Sequence, residues 1–380
     1  MVKKQVVLKN GTDAFEAWKD PPAHIYMQFY FFNLTNPQEV LDGERPAVVE
    51  IGPYTYREYR PMEQIDFQDN GTKVTAVNSK TYIFQRDMSR GPESDLIRTV
   101  NIPAMNNASN DGEYVFFTGQ QNSRDFSRVD TWKGESSLNW WTSDECNMIN
   151  GTIGTSFHPV ITKNDMLYIF SSDLCRSLYT VYEEDVTVKG ITGYRFVPPS
   201  SVFANLTVNP DNAGFCVPAG NCLGSGLLNV SVCKEGAPII MSSPHFYQAD
   251  EKFAQDIFGM TPNKEEHQTA IDINPLTGVV LQAAKRLQIN VYVEQIPNFS
   301  QTGNVRTVVF PVAYLNESAT IDDTAAKKLK GIGVQQNVVE NIPFMLIGLA
   351  IIVGGIFMFL VCQQKVPEST TAERQPLLSS

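Results

Sequence analysis

The sequence predicts a mainly β domain with a few helices, an α+β chain, followed by one C-terminal transmembrane helix. Three observations carry that expectation. Short aromatic and β-branched runs recur between clusters of turn residues. An uncharged run of 21 residues extends from Ile342 to Cys362. Nine Asn-x-Ser/Thr sequons all lie before that run and none after it.

The strand reading begins at Ile25–Phe32, an aromatic run suited to a strand buried on both faces. Further short strands are expected at Thr81–Gln85, Tyr114–Thr118, Leu167–Phe170, Tyr194–Val197, Gln288–Gln295 and Arg306–Leu315. Turn clusters such as Asp69-Asn70-Gly71 and Asn209-Pro210-Asp211-Asn212 separate them. Two segments read as helix, Asp250–Met260 and Ile321–Lys330. No repeat and no low-complexity linker interrupts the pattern. The expected organisation is one lumenal domain over residues 1–331, a stalk over 332–341, a span over 342–362 and a tail over 363–380.

A helix of 21 residues rises about 30 Å, the thickness of a bilayer's hydrocarbon, and satisfies its own backbone there. The sequons at Asn10, Asn33, Asn70, Asn107, Asn150, Asn205, Asn229, Asn298 and Asn316 place the N-terminal side in the lumen. Lys365 and Arg374 on the other side agree with that orientation. The chain opens MVKKQVVLKNGT, with no apolar stretch to act as a signal peptide, so the expectation is either that a segment precedes it or that the N-terminal side is not lumenal.

Cys146, Cys175, Cys216, Cys222 and Cys233 precede the span. An oxidising lumen favours pairing of four of these five, and spacing alone leaves every choice of partners open. No Cys-x-x-Cys and no Cys/His ligand spacing is present, which argues against zinc or thioredoxin-like chemistry. A net charge of −11 repels phosphate backbones, and nucleic acid is not an expected partner.

The search for catalysis finds no H-E-x-x-H, G-x-S-x-G, Walker or dinucleotide fingerprint, so neither an enzyme nor a cofactor is expected. Gly331-Ile332-Gly333 reads as a helix stop. Of His24, His158, His245 and His267, the second and third sit beside prolines in aromatic surroundings, the setting of structural histidines. Glu265-Glu266-His267 reads as a solvated acidic turn rather than a metal site, and Trp140-Trp141 as core. The tail carries Glu373 four positions before Leu377-Leu378. Clathrin adaptors read that spacing in an extended peptide, the leucines filling apolar pockets and the acid meeting basic residues.

Several motifs together resemble the class B scavenger receptor family and, within it, its lysosomal members. They are Phe29-Tyr30-Phe31-Phe32-Asn33 with Asn36-Pro37, and Gly52-Pro53-Tyr54-Thr55-Tyr56-Arg57-Glu58. Cys146 to Thr152, Pro244 to Tyr247, Asn274 to Gly278 and the dileucine tail complete the set. The resemblance implies an irregular antiparallel β-barrel crossed by a lipid-accommodating tunnel and capped by a helical apex. It implies binding of cholesterol or phospholipid and, for lysosomal members, carriage of β-glucocerebrosidase to the lysosomal membrane. It also implies bonds Cys175–Cys233 and Cys216–Cys222. Relatives bond the cysteine matching Cys146 to a position that here is Gly214, which leaves Cys146 a free thiol. Two departures are expected to matter. The family's N-terminal span is absent, and only Ala104–Ser109 stands where relatives carry the apex, so hydrolase capture should be weakened.

Overall fold

A computed structural model describes residues 6–99, 110–297, 302–331 and 346–358 apart from 348 and 357. The predicted stalk, the sorting residues Glu373, Leu377 and Leu378, the sequons Asn107 and Asn298, and the connection Ala104–Ser109 lie outside the described residues. The chain divides into two compact units, Met1–Asp323 and Thr324–Ser380.

In chain order the strands of the first unit are β1 (Ala23–Leu34), β2 (Val48–Tyr59), β3 (Met62–Gln68), β4 (Lys73–Ser79) and β5 (Thr81–Phe84). There follow β6 (Asn110–Phe117), β7 (Val129–Trp132), β8 (Leu167–Ser171), β9 (Arg176–Val188) and β10 (Ile191–Val197). The last are β11 (Leu227–Asn229), β12 (Ile239–Ser242), β13 (Ala270–Ile273), β14 (Val280–Val293) and β15 (Val308–Ile321). The helices are short: α1 (Asp13–Lys19), α2 (Pro37–Leu41), α3 (Asp144–Asn147), α4 (Glu251–Gln255) and α5 (Lys264–His267). Thr12 caps α1, its Oγ1 accepting the Phe15 N–H, and the helix buries Phe15 and Trp18.

Eleven strands form an antiparallel sheet in the order β5-β2-β1-β15-β14-β13-β10-β9-β8, with β12 on β14 and β11 on β12. β14 is 14 residues long, and β13 and β12 pair with successive halves of its edge, which forks the sheet. The remaining four strands form a second sheet, β3-β4-β6-β7. Between the two sheets lies the largest apolar cluster, with Val74, Tyr114, Phe116 and Trp132 meeting Met241 and Leu287.

The expected β-rich, antiparallel architecture is present, but the sheet is not closed into a barrel. Its outer strands β5 and β8 do not pair. Closure needs every strand paired along both edges, and among the described residues β5 pairs only with β2 and β8 only with β9. Two helix expectations also need correction. Asp250–Met260 shrinks to α4, because Gly259 adopts φ +100° and the segment returns to bond β2. Ile321 is still strand, and the helix expected there occupies residues 323–331. Ile25–Phe32 is buried at Ile25, Met27 and Phe32 but half-open elsewhere, so it is not a strand enclosed on both faces.

The described residues of the second unit beyond 331 are helical and apolar, and Ile351 and Met358 are 70% and 69% exposed. Among the described residues no helix is long and apolar enough to cross a membrane; the predicted span over 342–362 falls partly outside them.

Candidate functional site

Residues directly opposite in an antiparallel sheet share a face, so register sorts the side chains of the central strands. Lys285 of β14 faces Glu317 of β15, which faces Met27 of β1. Continuing outward on that face, Glu58 of β2 faces Tyr82 of β5. Here a charged network is assembled. Arg60 Nη2 lies 2.6 Å from Glu58 and 2.8 Å from Glu317. Lys285 bonds Asp173 and stands 3.6 Å from Glu317. Phe29 and Tyr56 pack edge-to-face at 5.6 Å on the same side, an apolar wall beside the charges.

Lys285 and Asp173 keep 37% and 41% of their side-chain surface open while their charges pair with each other. The charges hold one another ionised. The Lys285 ammonium keeps Asp173 far below the ordinary carboxylate range, against the opposing effect of burial. Burial opposes the charge of Glu317 too, but Arg60, Lys285 and Lys80 outweigh it and lower its pKa. Glu58 runs the other way, since burial raises it more than Arg60 restores.

The opposite face carries Tyr30 and Tyr314, stacked with ring centroids 4.5 Å apart. Two histidines from separate loops complete this cluster. His245 and His267 stack at 4.5 Å with planes inclined by 14°. The Thr261 N–H donates to His245 Nδ1 at 3.0 Å, and the Asn263 N–H donates to His267 Nδ1 at 2.9 Å. An acceptor nitrogen carries no proton, so His245 Nε2 is the protonated one and donates to Glu50 Oε2 at 2.7 Å. Tyr314 donates to Glu50 Oε1 at 3.2 Å. Burial, with the neighbouring His245 adding to it, lowers the His267 pKa to about 4. Burial would raise Glu50, but the hydrogen bond from His245 overrides it and the net shift is downward.

Gly52 explains the bulge that brings Glu50 into this cluster. β1 and β2 slip register between Phe29 and Phe31, and a Cβ at Gly52 would meet the Tyr30 ring at 2.7 Å and the Phe29 carbonyl oxygen at 2.8 Å. His245 itself sits at φ +51° in the left-handed region, held by its N–H donating to Gln288 Oε1 at 2.7 Å.

The sequence-predicted residues are placed as follows. Cys175 and Cys233 are bonded, as are Cys216 and Cys222, while Cys146 is a buried free thiol. A Cβ built on Gly214 lies 2.5 Å from Cys146 Sγ. Of the sequons, Asn10 and Asn70 are exposed, and Asn33, Asn150, Asn205 and Asn229 are half-exposed. Asn316 differs: it is paired on both sides within β15, and its amide nitrogen donates to Gln28. His158 hydrogen-bonds the adjacent Pro159 carbonyl, and Trp141 is core. The acidic-turn reading of Glu265-Glu266-His267 needs one correction. Glu265 and Glu266 are exposed, but His267 turns inward because α5 ends there and its ring stacks on His245. The charged network was not anticipated; its signal was Lys285 and Glu317 on two long strands whose one other charge is Arg286.

Comparison with known proteins now decides the family. The CD36 family model matches residues 1–109 and 104–361. The chain belongs to the CD36 family. It is 46% identical to lysosome membrane protein 2 of Homo sapiens, covering 99% of this chain and 92% of that protein. Lysosome membrane protein 2 of Rattus norvegicus is 45% identical with the same coverage. Scavenger receptor class B member 1 of Bos taurus is 34% identical over 84% of this chain and 76% of its own length. The alignment with the human protein runs to 443 positions against the 380 residues here, so it carries more than sixty positions without a counterpart in this chain. The two stretches matched by the CD36 family model meet at 104–109, where sequence reasoning put the shortened connection.

Proposed function

We propose that this chain is a lysosomal membrane glycoprotein of the CD36 family that keeps an amphiphile-accommodating domain while its capture of β-glucocerebrosidase is weakened. The observation that carries the reading is the charged network around Lys285 and Glu317 beside the Phe29 and Tyr56 rings on the same face of the sheet. A face with charge at one place and apolar rings at another suits cholesterol or a phospholipid better than a fully polar solute. Membrane attachment by residues 342–362 is supported by the apolar helix within 346–358, where Leu346, Ile351 and Met358 are exposed. Lysosomal residence is supported by the lysosome membrane proteins to which the chain is similar and by the Glu373, Leu377, Leu378 spacing for a clathrin adaptor.

The receptor reading rests on the same relatives, and its weakening on the short Ala104–Ser109 connection. Six residues make fewer than two helical turns, whereas a specific interface engages about twenty to thirty residues per partner. Cells expressing the full chain should incorporate a photo-crosslinkable sterol or phospholipid probe and co-precipitate little β-glucocerebrosidase at near-neutral pH. Absence of probe labelling on folded protein refutes the lipid reading. Hydrolase recovery equal to that of lysosome membrane protein 2 refutes the weakened receptor.

A further inference from the structure

Arg176, the first residue of β9, is only 7% exposed, yet no carboxylate pairs with it among the described residues. Its Nε donates to the Ser177 carbonyl at 3.2 Å and its Nη1 to the Val202 carbonyl at 3.3 Å. Both bonds are long, and among the described residues Nη2 has no acceptor at all. The Phe215 ring lies 3.5 Å from the guanidinium carbon, an attraction that offsets only part of the lost hydration. Burial without a compensating acid lowers the pKa of this arginine to about 10. Buried arginines ordinarily carry an anionic partner, so this one is incomplete.

The incomplete guanidinium lines a cavity of about 40 Å³ walled by Leu206, Val217, Leu223 and Leu227, with Asn205, Asn212, Asn221 and Asn229 beside them, and bordered by the Cys216–Cys222 bond. That volume holds about three water-sized spheres, which is the size of a formate or acetate ion. We propose that this cavity is a binding site for a small monocarboxylate, seated on the free edge of the Arg176 guanidinium. The planar fork of a guanidinium matches two coplanar oxygens, a geometry that a spherical halide cannot use. A sulfate or phosphate dianion would leave its second charge without a cation, since Arg176 is the one charged side chain in the described lining. A carboxylate with a one- or two-carbon body satisfies the charge, the fork and the leucine lining together. The site shares no residue with the charged network around Lys285 and does not depend on it.

The test uses the full chain in detergent at constant ionic strength, with chloride replaced stepwise by acetate or formate. Four heavy atoms can supply affinity on the order of millimolar. A saturable rise in melting temperature with acetate is expected, with no comparable saturable rise from sulfate. Arg176→Gln should weaken acetate binding at least tenfold. Because that variant can lose stability, Leu206→Trp, which plugs the cavity and leaves Arg176 in place, should abolish the acetate response as well. A flat response in the wild-type chain overturns the proposal, as does an equal saturable response to chloride. Retained acetate binding in both folded variants overturns it too.

Discussion

The two faces of the central strands solve one problem, the burial of ionisable side chains, in opposite ways. On the face of Lys285, Arg60 after β2, Lys285 of β14, Glu317 of β15 and Asp173 in the loop after β8 pair as opposite charges that keep the two carboxylates Asp173 and Glu317 ionised. On the face of His245, backbone N–H groups donate to the Nδ1 atoms of both histidines, and burial lowers the His267 pKa. The difference teaches that burial does not decide protonation by itself; the partners do. It also separates the two faces in pH. A carboxylate held low, such as Asp173 or Glu317, contributes stability that is present above its unfolded pKa and lost only as pH falls through the folded value. The charged face therefore withstands mild acid. His267 begins to lose its contribution below 6.5, the ordinary value, and has lost it by about pH 4.

The largest break in this comparison is Arg60→Met. Its guanidinium is the nearest cation to Glu58, whose side chain is fully buried, and removing one partner of a buried pair costs about 3–5 kcal/mol. Urea unfolding should show the loss, and adding Glu58→Gln should recover part of it. An unchanged midpoint in Arg60→Met means that the network contributes no stability. Next in size is His267→Asn, whose carbonyl can still accept the Asn263 N–H. The shift from 6.5 to about 4 corresponds to about 3 kcal/mol of acid-dependent stability. Melting temperatures of the variant should fall less steeply than wild type between pH 6.5 and 4; parallel curves exclude His267 as the source. The smallest is Tyr314→Phe, which removes one hydrogen bond to Glu50 and should cost about 1 kcal/mol. Its effect should be confined to stability near neutral pH, leaving the acid dependence of His267 in place.

Much of the fold was legible because it is local. The aromatic alternation of β1 and the Gly and Asn turns mark strands wherever they fall in space. The openness of the sheet was not legible, because it depends on β5 and β8 not pairing with each other, and no local pattern records which strands are ends. The candidate site divided in the same way. His245 read as structural from its Pro-His-Phe-Tyr setting, and its hydrogen bonds agree. His267 was misread with its acidic neighbours, since its partner lies 22 positions away in sequence. Arg60, Asp173, Lys285 and Glu317 come from four distant segments, and only register brings them together.

Cys146 has a consequence for biosynthesis. An odd cysteine is a hazard to any chain maturing where thiols are oxidised, because it competes for partners and can trap scrambled isomers. Attack requires the thiolate, and burial raises the Cys146 pKa even though Ser143 pulls in the other direction. Closure of the α3 segment against Gly214 thus quenches the competitor once the domain is folded. Until then nothing shields it. Proofreading of the two native cystines is therefore a race between packing around residue 146 and oxidation at the other four sulfurs.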